Sequence, residues 1–149
     1  MNDSSEALRA RARAESRGVD AEHARVAVEL ALPLIHNAMR EPRYGDSGFL
    51  HIVVMDPART PDRVDAFDDA ILYEHSVGDR SQWDADYAWY ARGKAEQSWR
   101  SRADNPKGAV CVDGLVVGCS GAFEPFDCAY AASVAHCLRA LVRLEQERG

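Results

Sequence analysis

The stretch Ala109-Val-Cys-Val-Asp113-Gly114-Leu-Val-Val-Gly118 constrains the fold of this chain more than any other. Two short valine-rich runs flank an Asp-Gly pair, and such a pair tolerates the two positive φ angles of a type I′ turn, so the segment is predicted to be a tight β-hairpin. A hairpin commits its two strands to antiparallel pairing. The rest of the chain must then supply further strands for that sheet and helices to cover it.

A second apolar run, Phe49-Leu-His-Ile-Val-Val-Met55, lies between Gly48 and Pro57. It is rich in β-branched residues and short, which predicts a central strand. Phe67–Ser76 holds another strand, Ile71-Leu-Tyr-Glu-His-Ser76, which alternates sides and is closed by Gly78. The intervening Asp56–Asp65 carries two prolines and several charges and reads as a surface loop.

Helices fill the remainder. From Asp20, a good N-cap, Ala24, Ala27, Val28, Ala31, Leu34, Ile35 and Ala38 recur at helical spacing, and Pro33 is expected to kink this helix or mark a boundary. Trp83–Arg100 carries Trp83, Tyr87, Tyr90, Ala91, Ala95, Ser98 and Trp99 at spacings of three and four, despite Gly93. A last helix, capped by Asp127, has the stripe Tyr130, Val134, Cys137, Leu138, Leu141 and Val142. Residues 4–17 predict a short, very polar helix ended by Gly18. The expectation is an α+β fold: a single mostly antiparallel sheet flanked by helices, one domain over residues 20–149, with the polar helix in residues 1–19.

At 149 residues with 46% hydrophobic and 28% charged side chains, the chain has the size and composition of one globular unit. Its net charge of −6 argues against nucleic acid as a partner, because phosphate backbones require clustered cations. The cationic run Arg9, Arg11, Arg13 and Arg17 is interrupted by Glu6 and Glu15 and reads as a solvated helix face. The start Met-Asn-Asp-Ser-Ser-Glu lacks the basic and apolar regions of a signal peptide, and no run approaches the ~20 apolar residues of a membrane span, so a cytoplasmic, membrane-free protein is expected. Cys111, Cys119, Cys128 and Cys137 include no C-x-x-C pair, and buried thiols rather than a zinc site or disulfides are expected.

The chain resembles the GlcG/HbpS-like family of small profilin-like domains over about residues 20–145. The matching parts are the leading amphipathic helix, the strand Phe49–Met55, the helix with Tyr90-Ala-Arg-Gly-Lys94-Ala, and Gly108-Ala-Val-Cys-Val-Asp-Gly-Leu-Val-Val-Gly-Cys-Ser-Gly121 before a helix. It departs from the family in a longer segment between the first strands and the middle helix, and in Glu124-Pro-Phe-Asp127 where an acidic cluster is usual. The resemblance implies a profilin-like fold, assembly into homo-oligomers and, in some members, haem binding.

Several residues are candidates for chemistry. Lys94 shares a helix face with Tyr87, Tyr90 and Ser98, so it either binds a small organic anion or forms a Schiff base at a pocket floor, or it snorkels to water. His75, at a strand end beside Gly78-Asp-Arg-Ser81, is a candidate haem ligand or general base, or a strand-end surface histidine. His51 faces one sheet surface with Val53 and Met55, as a ligand or as a satisfied half-buried histidine. Cys119 lies in Gly-Cys-Ser-Gly, where it is a nucleophile if a histidine approaches, or where small residues serve close packing. His136 lies off the last helix's stripe and is expected in solvent, and metal binding would require scattered histidines and cysteines to converge. Trp83, Tyr87, Trp89, Tyr90 and Trp99 cannot all face one core, which points to a subunit interface. Three function classes follow: an oligomeric small-ligand binder, haem among its ligands; an enzyme using Lys94 or Cys119; and a protein-interaction module.

Overall fold

The computed structural model describes residues 19–45, 47–78 and 84–148. The polar helix expected over residues 4–17, residues 79–81 of the Gly78–Ser81 loop and Trp83 lie outside them. The elements run α1 (Ala21–Met39), β1 (Phe49–Met55), β2 (Ile71–Gly78), α2 (Asp84–Ser101), β3 (Ala109–Val112), β4 (Leu115–Ser120) and α3 (Glu124–Arg148). Short 3-10 turns occupy Pro42–Tyr44 and Phe67–Ala70. The fold is α+β as expected: one four-stranded sheet in the order β2-β1-β4-β3, with every neighbouring pair antiparallel.

The hairpin forms where its sequence places it. Asp113 and Gly114 take φ of 50° and 82°, the two positive angles the turn requires, and Val112 pairs with Leu115 across it. All seven residues of β1 are buried, since it is covered on both faces as well as flanked by β2 and β4. Its alternation divides the core. Leu50, Ile52 and Val54 pack with Val117 and Cys119 against Val28, Ile35, Tyr130, Val134 and Leu138 of α1 and α3. Val53, Met55 and Val116 face the other way, onto Ala91, Ala95 and Trp99 of α2. Helix α2 lies close to the sheet because Gly118 has no side chain: a Cβ there would fall 2.8 Å from both the Ala91 carbonyl oxygen and the Ala95 Cβ. Gly118 thus serves sheet-to-helix packing.

Four expectations are corrected by the helices. Helix α1 starts as read, with the Asp20 side chain accepting from the His23 N–H, but it runs on through Pro33 to Met39, so Pro33 marks no boundary. Leu34, placed on its apolar stripe, is exposed, because the buried face is set by Ala24, Ala27, Val28, Ala31 and Ile35. Tyr90 is also exposed: Ala91, Ala95, Ser98 and Trp99 define the buried line of α2, and Tyr90 falls beside it, its ring against Trp89 at 5.2 Å. Helix α3 begins three residues before Asp127, at Glu124, with Pro125 in its first turn where a missing N–H is tolerated. Asp127 is therefore not its cap but a buried residue inside its first turn.

Candidate functional site

Between α2 and the end of the sheet where β4 leads into α3, the apolar core gives way to a row of polar side chains. The strand register aligns Ser76 of β2, His51 of β1 and Ser120 of β4 side by side, because His51 pairs with both. Period-two alternation turns these three toward α2, together with Glu74. Helix α2 lays Arg92 over one end of the row and Lys94 over the other.

At the β2 end, Glu74 accepts from Arg92 through both carboxylate oxygens, at 2.7 and 3.0 Å. His51 lies between, its Nε2 2.9 Å from Glu74 and its Nδ1 2.8 Å from Ser76 Oγ. Burial pushes the Glu74 carboxyl up, but the hydrogen bonds and charge of Arg92 and His51 outweigh it and hold it below its ordinary value. His51 is 6% exposed and both ring nitrogens are engaged.

At the other end Lys94 places its ammonium 3.1 Å from Asp127 Oδ2, 3.2 Å from the Cys119 carbonyl and 3.3 Å from Ser120 Oγ. An ammonium carries three protons, and here each has an acceptor. Asp127, 1% exposed, also accepts from the Ala122 N–H at 2.9 Å. Burial raises its carboxyl to about 6, against the lowering by Lys94 and the backbone donors. The cluster needs Gly108 beside it: with φ at 147°, a Cβ at that position would lie 2.6 Å from the Cys119 carbonyl oxygen and 2.9 Å from Asp127 Cβ. Lys94 thus ties α2 to the β4–α3 junction through a buried ion pair.

Of the sequence candidates, Lys94, His51 and the carbonyl of Cys119 meet in this row. The Cys119 thiol does not, since alternation sends its side chain into the core under α1 and α3, where burial first and the Asp127 charge second raise it well above the ordinary thiol range. His75 aligns with Ile52 and stacks on Tyr73 at 6.3 Å, on the sheet face that α1 and α3 cover. The sheet separates it from Lys94. Ser98 is buried one turn beyond Lys94, and its Oγ has no hydrogen-bond partner among the described residues. Tyr90 points to solvent. His136 is exposed and bonded to Arg139 at 2.8 Å.

Asp127, Glu74, Arg92, Ser76 and Ser120 escaped the sequence reading. One signal was available: Asp127 precedes Tyr130, Val134 and Leu138 by three, seven and eleven residues, so it lies on the buried stripe of its helix and requires a buried cation.

His51 does not fit an axial haem ligand, since both its ring nitrogens are bonded, and His75 lies across the sheet from Lys94, so the two do not line one site. Among the described residues no three His, Cys, Asp or Glu side chains gather as a metal ion would require, and no helix is long and apolar enough to cross a membrane. The four cysteines are free thiols, but only Cys119 is buried as expected; Cys111, Cys128 and Cys137 are half-buried. Comparison with known proteins finds no matching family model, no matching curated protein and no matching solved structure.

Proposed function

We propose that this chain is a homo-oligomeric, non-catalytic protein of GlcG/HbpS-like type that binds a small ligand, its copies pairing through α2. The observation that carries this reading is the pairing of an exposed indole with an open glycine: Trp89 is 70% exposed, and one turn later a Cβ at Gly93 would meet nothing within 4 Å among the described residues. Glycine in mid-helix costs about 1 kcal/mol relative to alanine, and packing among the described residues does not ask for it at position 93. A second helix crossing there does ask for it, since the missing side chain lets two backbones approach while Trp89 and Tyr90 are covered. Asp86 and Arg100 each stand seven residues, about two turns, from Gly93. An antiparallel two-fold crossing centred on Gly93 sets Asp86 of each copy against Arg100 of the other, so the surface is complementary to itself.

Binding rather than turnover is supported by the state of the two nucleophile candidates. Lys94 is bonded at all three protons, and the Cys119 thiol is buried and held neutral. Sedimentation equilibrium at micromolar concentration tests the pairing: wild type assembles, while Trp89→Glu and Gly93→Leu are folded monomers. Gly93→Ala separates the two effects, raising the stability of the fold by about 1 kcal/mol while weakening association. A monomeric wild type, or an assembly that survives both disruptive substitutions, overturns the pairing.

A further inference from the structure

On the layer opposite α2, the C-terminal half of α1, the turn after it and the first turns of α3 diverge and leave a groove of about 550 Å³. We infer that this groove binds a planar aromatic monoanion such as an aryl carboxylate, its rings against Tyr44 and Phe126 and its carboxylate on Arg40. The inference rests on the small-ligand reading above and names the site and the ligand class.

The volume lies within the roughly 300–1,000 Å³ of small-molecule sites. One wall is aromatic: the Tyr44 and Phe126 rings are stacked with centroids 4.1 Å apart and planes 14° apart, and Phe126 rests on the buried Tyr130 at 6.2 Å. That wall is built in advance. Phe123 donates its N–H to the Tyr44 carbonyl at 3.1 Å, and its ring lies so close over Gly45 that a Cβ there would fall 2.3 Å from it. Tyr44 is thereby held to the start of α3. The facing wall includes Leu34, which follows the apolar period of α1 yet is half exposed, so the groove carries apolar surface that a flat ligand would cover.

Charge selects the ligand's polar end. Arg40 is exposed at the rim and makes no ion pair with any described residue, whereas its neighbour Glu41 is taken up by Arg43, through the side chain at 2.7 Å and the backbone N–H at 3.1 Å. Among the described residues the rim therefore offers one uncompensated guanidinium, whose planar fork matches a carboxylate.

Titration of the isotope-labelled full chain with 2-naphthoate and with neutral 2-naphthamide, followed by amide NMR shifts, tests this. Naphthoate is expected to saturate with shifts confined to the groove, at Asn37, Ala38, Tyr44, Phe126 and Ala129. Arg40→Gln weakens naphthoate by about tenfold and leaves naphthamide unchanged. Ala129→Trp fills the groove from an exposed position and abolishes binding of both. Absence of saturation, equal affinity for acid and amide, or shifts centred on Trp89 and Tyr90 would each overturn the proposal. Sedimentation of the same samples separates the two readings: a monomer that binds naphthoate in the groove removes the α2 pairing alone, and an assembled chain without binding removes the ligand site alone.

Discussion

Consider Asp127→Asn, followed as a function of pH. In the folded chain the Asp127 carboxyl is 1% exposed and takes up its proton at about 6, while in the unfolded chain it does so near its ordinary 3.8. Between those values the folded state holds more protons than the unfolded state, so the contribution of this group to stability grows as pH falls and is constant above about pH 7. A rise from 3.8 to about 6, at 1.36 kcal/mol per pH unit, is worth about 3 kcal/mol in full, of which about 2–3 kcal/mol is reached by pH 4. Asparagine does not titrate. Urea unfolding of both proteins between about pH 4 and pH 8, followed by tryptophan fluorescence, should show the stability of wild type relative to the variant increasing by that amount on acidification. Glu74 and Asp20, both held below their ordinary values, act in the opposite direction, but they do so in both proteins and cancel in the difference. A difference that stays flat, or that shrinks as pH falls, would mean that the ion pair with Lys94 outweighs burial, and the account of this cluster would fail.

The remaining expectations concern packing and access. Gly118→Ala drives a methyl group onto the backbone and Ala95 of α2 and should cost about 1–3 kcal/mol, read as a melting temperature lower by roughly 3–10 °C; an unchanged melting temperature would contradict the close approach of α2 to the sheet. Iodoacetamide at mildly alkaline pH should label Cys111, Cys128 and Cys137 well before Cys119 in the native chain, and equal labelling by peptide mass analysis would contradict the burial of that thiol. Haemin should not ligate through His51, because both its ring nitrogens are bonded; a sharp Soret band that His51→Ala abolishes would show that this network opens.

The polar row was the least legible part of the sequence, and its residues show why. Lys94 stood out as a cation on an apolar helix face, but its meaning depends on Asp127, thirty-three residues away, which as a residue before a helical stripe reads equally well as a cap. His51 and Ser120 become neighbours only through strand register, and His75, adjacent to Glu74 in sequence, is carried to the opposite face by strand alternation.

What the chain determines locally it declares openly. The Asp-Gly turn, the apolar β1 run, the Asp20 cap and the periodicity of the helices all express interactions within a few residues, and the hairpin, the central strand and the start of α1 follow from them. Only the tertiary structure decided which face of each element is covered. Leu34 and Tyr90 satisfy helical periodicity yet remain exposed, because a helix has more apolar positions than its one neighbouring layer can bury. Asp127 is polar yet buried, because the close packing that Gly108 permits lets a lysine from another helix reach it. Burial and charge pairing depend on residues distant in sequence brought within a few ångströms, and no local pattern encodes that distance.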